Sequence, residues 1–232
     1  MKPSLNIKDL RFSYGETNKL LLEIHDFSIK KGEKVFLKGD SGSGKTTLLG
    51  IITGILSAQN GEVTVLGEDF TKLSYAKKDA LRGEKMGYIF QLFNLIPYLS
   101  VLENITLPCR IHSKRKLNLD GKTPEQEAER LATALSIADY LDKPITELSV
   151  GQQQRVAAAR ALIGAPEFII ADEPTSALDH SQRGKFIELL MSECEKKETS
   201  LLFVSHDPTL ASFFDRTVKM EEINLASKGS PL

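Results

Sequence analysis

Lys34-Val35-Phe36-Leu37-Lys38-Gly39-Asp40-Ser41-Gly42-Ser43-Gly44-Lys45-Thr46 puts a short apolar run, a glycine-rich turn and a Lys-Thr pair in direct succession. Lys34 to Leu37 reads as a strand, and Gly39 to Thr46 fills the pattern G-x-x-x-x-G-K-[ST] at every fixed position. Thr46 to Leu56 continues with apolar residues at helical spacing. Strand, turn and helix in that order form a cradle for phosphate. The glycines let backbone N–H groups turn inward, and the helix presents the positive end of its dipole. Lys45 supplies a point charge for the β- and γ-phosphates, and the Thr46 hydroxyl is placed to ligate Mg²⁺. Gly39, Ser41, Gly42, Ser43, Gly44, Lys45, Thr46 and Thr47 are the candidate nucleotide contacts of this loop.

Outward from the loop, the pattern alternates between strands and helices. Gly61-Glu62-Val63-Thr64-Val65-Leu66-Gly67 alternates between two glycines and reads as a strand. Phe168 to Ala171 and Leu201 to Val204 are wholly apolar, as suits central parallel strands covered on both faces. The middle of the chain is helical. Thr123 caps a helix running to Ala138, with Pro124 in its first turn and Leu131, Leu135 and Ala138 on one face. Val150 to Leu162 is a second helix, and Arg110 to Gly121, with Lys114, Arg115 and Lys116 adjacent, reads as an exposed loop. The chain is therefore expected to be α/β. A core of residues 1–90 and 166–232 would carry an inserted helical subdomain of residues 91–165, all within one domain of residues 1–232.

Phe168-Ile169-Ile170-Ala171-Asp172-Glu173 is an apolar strand ending in two carboxylates. Asp172 is placed to hold the Mg²⁺ shell. Glu173 can orient and deprotonate an attacking water, a role worth about 10²–10⁴-fold in rate.

Between these motifs lies Leu148-Ser149-Val150-Gly151-Gln152-Gln153-Gln154-Arg155, which resembles the signature motif of the ABC (ATP-binding cassette) ATPases. The resemblance runs from end to end, and it implies a P-loop NTPase (RecA-like) sheet core with an antiparallel β part and an inserted α-helical subdomain. It further implies that Tyr14 stacks on adenine, that Gln91 touches Mg²⁺ and the attacking water, and that His206 contacts the γ-phosphate. Asp179, in Ser176-Ala177-Leu178-Asp179, would cross a dimer interface. Ser149, Gly151 and Gln152 would meet the γ-phosphate bound by a second copy, so ATP closes a homodimer around two nucleotides. The chain departs from the family at Val150, where glycine is usual. His25, His112 and His180 match no motif.

Gln91 to Pro97, continuing through Leu102-Glu103-Asn104 to Leu107-Pro108, resembles the subgroup serving lipoprotein release, macrolide and peptide export, and cell-division signalling. In that family this stretch forms a groove for a helix of a separate membrane permease. Two alternatives stay open: a mechanical ATPase moving a membrane partner that transports nothing, and the ATPase of a polar amino-acid importer.

The totals agree. Thirty basic and 31 acidic residues nearly cancel, which argues against a nucleic-acid partner. The two cysteines, Cys109 and Cys194, read as reduced thiols. Met1 to Asn6 lacks the apolar run of a signal peptide, so none is expected, and no apolar run approaches the roughly 20 residues that span a bilayer. Only 26 residues follow His206, too few for the regulatory domain of some importers. The expected location is cytoplasmic, peripheral on the inner face of the membrane through the permease.

Overall fold

The computed structural model describes residues 2–15, 20–176, 178 and 180–228. In chain order the strands are β1 Leu5–Phe12, β2 Leu22–Ile29, β3 Lys34–Lys38, β4 Asn60–Val65, β5 Glu68–Asp69, β6 Met86–Ile89, β7 Phe168–Asp172, β8 Ser200–Val204 and β9 Arg216–Lys219. The helices are α1 Lys45–Ile52, α2 Tyr75–Lys85, α3 Val101–Ile111, α4 Ser113–Leu117, α5 Pro124–Ala134, α6 Val150–Leu162, α7 His180–Lys196 and α8 Met220–Ile223. The chain divides into two compact units, residues 1–80 with 202–232, and residues 81–201.

The first unit holds an antiparallel sheet in the order β2-β1-β4-β5. Its strands alternate, but β1 and β2 change phase together. Leu5 and Ile7 pair with Ile29 and Phe27, Leu10 and Phe12 pair with Ile24 and Leu22, and all eight are buried. The phase change falls at Asp9, whose φ is 46°, and the pairing of β1 with β4 shifts register between Lys8 and Arg11. This is a bulge, which turns the following side chains to the other face. In the same unit β3 runs parallel to β9, with Val35 opposite Arg216. Val35, Phe36 and Leu37 are all fully buried, as the unbroken apolar run requires.

The second unit contains the parallel pair β6–β7, with Met86 opposite Phe168 and Ile89 opposite Ala171. Helices α3, α5 and α6 pack on one another, and α6 also meets β6 and α7. Each of these three starts with a capping box: Ser100 with Glu103, Thr123 with Gln126, and Ser149 with Gln152. The expected starts at Pro124 and Val150 hold. The expected end at Ala138 does not, because Leu135 closes α5 and Ser136 takes φ 57°, which buries Ile137 and leaves Ala138 exposed. The helix after the phosphate loop is also shorter than expected, ending at Ile52 before Gly54.

The expected loop from Arg110 to Gly121 needs a larger correction. Arg110 and Ile111 belong to α3, the next turn is α4, and Arg115 is only 3 % exposed. Its guanidinium donates to the Gly83, Ile163 and Met86 carbonyls, at 2.9 and 2.6 Å for the first two. Lys114 pairs with Glu84 at 2.6 Å, so no run of three solvated cations exists. Cys109 and Cys194 are both buried, and burial pushes the Cys109 thiol pKa up to about 11.

A charged cluster ties α5 to α7. Arg130 Nη2 lies 2.8 Å from both Glu127 and Glu193, Lys122 reaches Glu127, and Lys196 reaches Glu193 at 2.5 Å. Burial raises both glutamates, but these cations outweigh it and hold them below the ordinary carboxylate value. A lowered carboxylate stabilises the fold above its unfolded pKa of about 4.3, and that contribution drains away as pH falls through the folded value. The urea midpoint should therefore fall as pH drops from about 5 to about 3, and more steeply in the wild type than in Glu193→Gln. Equal slopes would show that the cluster contributes nothing to the pH dependence.

Candidate functional site

In the first unit, the chain leaves β3 into the phosphate loop and enters α1 at Lys45. Gly44 caps this helix at φ 99°, and a Cβ there would stand 2.7 Å from Leu22 Cδ2, so the turn needs glycine on both counts. Lys45 Nζ donates to the Gly39 and Asp40 carbonyls at 2.6 and 2.8 Å. Ser43 Oγ is buried with no hydrogen-bond partner among the described residues. A hydroxyl without an acceptor beside a lysine and a helix N-terminus suits a phosphate oxygen. Thr46 is exposed in the first turn of α1, while Thr47 is buried and its Oγ1 lies 3.3 Å from the Tyr14 hydroxyl. Gly42, at φ 80°, and Ser41 lie at the exposed tip of the loop.

Tyr14 is 52 % exposed and stands edge-on to Phe12, with ring centres 5.0 Å apart. Its neighbour Ser13 is clamped by Gln59. The Ser13 N–H donates to Gln59 Oε1 and Gln59 Nε2 donates to the Ser13 carbonyl, each at 2.9 Å. Sequence reading misses Gln59, since nothing in its local pattern marks a contact 46 residues away. His206 follows β8 through buried Ser205, whose N–H donates to Leu37 O at 3.2 Å. Leu37 lies two residues before Gly39, so exposed His206 leaves the sheet at the same end as the phosphate loop.

The second unit brings Gln91 and the two carboxylates together. Ile89 pairs with Ala171, so Gln91 and Glu173 both stand two residues beyond the last matched pair of β6 and β7. Asp172 closes β7 and is half-buried. Glu173 has φ 45°, a left-handed value that costs a non-glycine residue about 1–3 kcal/mol and that recurs where a side chain must be aimed. Past Gln91, Phe93 and Asn94 also take positive φ, and Arg160 of α6 donates to their carbonyls at 2.6 and 2.7 Å. Arg160 thereby joins the signature helix to the turn after Gln91, a role with no signal in the sequence.

Ser149 caps α6. Its Oγ accepts the Gln152 N–H at 3.3 Å, and the Gln152 side chain accepts the Ser149 N–H at 2.8 Å. The Ser149 hydroxyl keeps its own proton to donate. Val150, the departure from the family, is 48 % exposed. Gly151 is half-buried, and a Cβ there would meet Gln182 Oε1 and Leu178 Cδ2 at 3.0 and 3.3 Å. Asp179 lies outside the described residues. Of the unassigned histidines, His25 pairs with Asp9 at 3.0 Å.

Among the described residues no group of three or more His, Cys, Asp or Glu could hold a metal. In the first unit Thr46 offers a hydroxyl, and in the second Gln91 offers an amide oxygen and Asp172 a carboxylate. That donor set suits Mg²⁺, which binds through few protein oxygens and its substrate. Along the stretch from Gln91 to Leu99, Leu92 and Tyr98 are exposed whereas Phe93 is buried. A groove of about 280 Å³ beside it is lined by Tyr88, Phe90, Asn94, Leu107, Pro108 and Ile111, among others. No helix among the described residues is long and apolar enough to cross a membrane.

Residues 22–176 match the family model described as "ABC transporter". The lipoprotein-releasing system ATP-binding protein LolD of Hydrogenovibrio crunogenus is 37 % identical over 201 residues, covering 85 % of this chain and 84 % of LolD. The macrolide export ATP-binding/permease protein MacB of Campylobacter jejuni is 40 % identical over 221 residues, 95 % of this chain but 33 % of MacB. Among solved structures, the dimeric post-hydrolysis state of the ATP-binding cassette MJ0796, bound to ADP and Pi, superposes with a TM-score of 0.80. It is 33 % identical, and the match covers 93 % of each chain.

Proposed function

The chain belongs to the ABC transporter family as an ATP-binding subunit with ATPase activity, and from that premise we propose that two copies close around two Mg·ATP to drive separate membrane subunits. The fold is the α/β cassette of that family, with antiparallel and parallel strands. Each nucleotide would lie between the phosphate loop of one copy and the signature helix of the other. The observation that carries this reading is the start of α6, where an exposed Ser149 hydroxyl and a helix N-terminus stand ready for an anion. The dimeric state of MJ0796 with ADP and Pi supports it.

On this reading Tyr14 stacks on adenine, and Lys45 exchanges the Gly39 and Asp40 carbonyls for β- and γ-phosphate oxygens. Ser43 and the α1 N-terminus take further oxygens. Glu173 accepts a proton from water as the water oxygen attacks the γ-phosphorus. The bond to the bridging oxygen breaks and its electron pair stays on ADP. His206 and the other copy's Ser149, Gly151 and Gln152 hold the γ-phosphate, and Gln91 orients the water. Thr46, Gln91 and Asp172 would hold Mg²⁺, which would supply positive charge to offset that of the phosphates. Asp179 would lie across the dimer contact. Residues 91–165 would act as a helical lobe on the core of residues 1–90 and 166–232. The groove near Gln91 to Leu99 would receive a permease helix, placing the subunit on the cytoplasmic face of the membrane. Lipoprotein release or macrolide export is the cargo class that LolD and MacB favour.

Mixing two inactive variants tests the shared site. Lys45→Ala spoils one half and Ser149→Arg the other. A mixed dimer contains one site with both halves intact, so activity should return on mixing. No activity in any ratio, with both variants folded, would place each site within a single copy.

A further inference from the structure

The segment after β9 turns back onto the phosphate loop, and the first unit contains every contact involved. Met220 is fully buried, and a Cβ on Gly39 would stand 2.6 Å from Met220 Cβ, so the two backbones meet without space for a side chain. Glu221 Oε1 accepts the Asp40 N–H at 3.2 Å. Asn224 is 2 % exposed. Its Oδ1 accepts the N–H groups of Glu23 and Ala226 at 2.9 and 3.2 Å. Its Nδ2 donates to Leu21 O at 3.0 Å and Ser43 O at 3.3 Å. Both amide hydrogens and both oxygen lone pairs are therefore used.

These contacts set the direction of two peptide planes. In a trans peptide the C=O and the following N–H point opposite ways. Asn224 holds the Ser43 carbonyl on the outer side of the loop, which aims the Gly44 N–H inward. Glu221 holds the Asp40 N–H outward, which aims the Gly39 carbonyl toward Lys45 Nζ, 2.6 Å away. Outer bonds thus decide which groups face the phosphate.

We propose that Asn224 and Glu221 are positioning residues that fix the phosphate loop in its anion-binding form, so that nucleotide affinity depends on a segment touching no nucleotide. The proposal rests on the reading that this loop binds the phosphates of ATP.

The test is calorimetric titration with ADP, together with ATPase kinetics, on the full chain. Asn224→Asp keeps the shape but turns a donor into an oxygen facing two carbonyls, and Asn224→Ala removes the contact without that repulsion. Each should raise the ADP Kd and the KM for ATP, the aspartate by about tenfold. kcat at saturating ATP should stay within about twofold, because the chemistry is untouched. Glu221→Ala should weaken binding, whereas Glu221→Gln, which keeps an acceptor oxygen for Asp40, should restore it. A merely structural role would lower the folded fraction and the apparent kcat while leaving Kd per folded molecule unchanged. That result overturns the proposal, as does failure of both Asn224 variants to fold. If wild type itself binds no ADP, the reading of the loop fails instead; if wild type binds and the variants match it, only this inference fails.

Discussion

Lys45→Ala should abolish ATP turnover, with a loss of at least about 10³-fold. Removing one neutral donor from a preorganised anion site costs about 10²–10³ in kcat, and Lys45 brings a full charge. The cost falls on function and not on folding. Lys45 is half-buried, and its two acceptors are loop carbonyls at 2.6 and 2.8 Å, Asp40 being exposed, where water can replace the amine. Phosphate release should vanish while the urea midpoint stays near that of wild type. Lys45→Arg should not rescue, since a planar guanidinium cannot occupy a seat shaped for a compact ammonium. Residual turnover within tenfold of wild type would move the β- and γ-phosphates away from this loop.

Glu173→Gln should lower turnover by about 10²–10⁴-fold, the usual worth of a positioned general base, and leave ATP binding intact. Both side chains have the same length and carry the same left-handed backbone penalty at φ 45°, so stability should change little. The difference is confined to proton affinity. Glutamine can still hold a water by a hydrogen bond but cannot take its proton. A single-turnover experiment separates the two effects: bound ATP persists with the variant and disappears with wild type. A variant as fast as wild type would transfer the role of base to another group.

The phosphate loop is readable because its residues are contiguous and each has a local reason to be there. The same holds for helix starts, where Thr123 with Gln126 and Ser149 with Gln152 cap within a single turn. Helix ends are less readable. Ser136 adopts the left-handed turn that sequence reading assigns to glycine, so α5 ends at Ala134, short of the expected Ala138. Arg115 misleads for a different reason. Its flanking lysines suggest a solvated run, yet the single turn of α4 rotates Arg115 inward to the backbone carbonyls of Gly83, Met86, Ala161 and Ile163. Gln59, Arg160 and Asn224 hold backbone far away in sequence, 46 to 203 residues off, through contacts that only tertiary proximity creates. Periodicity carries no trace of such bonds. The pairing of Ile89 with Ala171, which sets Gln91 level with Glu173, is likewise a property of the sheet and not of either motif.

Arg160 gives the second unit a direct mechanical link. The helix that begins at Ser149 is the one whose other end grips the Phe93–Asn94 turn beside the apolar groove. A push on that turn therefore acts on the signature helix through two hydrogen bonds and not through a flexible loop. This is the geometry expected if a membrane partner in the groove senses whether the signature has found its phosphate.

Sharing of ATP between two copies can be read from the mass of the Glu173→Gln variant by light scattering, with and without Mg·ATP. A monomer is expected without nucleotide and a dimer with ATP, with a return to monomer when Ser149→Arg is added to the same chain. A folded, ATP-binding Glu173→Gln protein that stays monomeric at every ATP concentration would contradict the shared site.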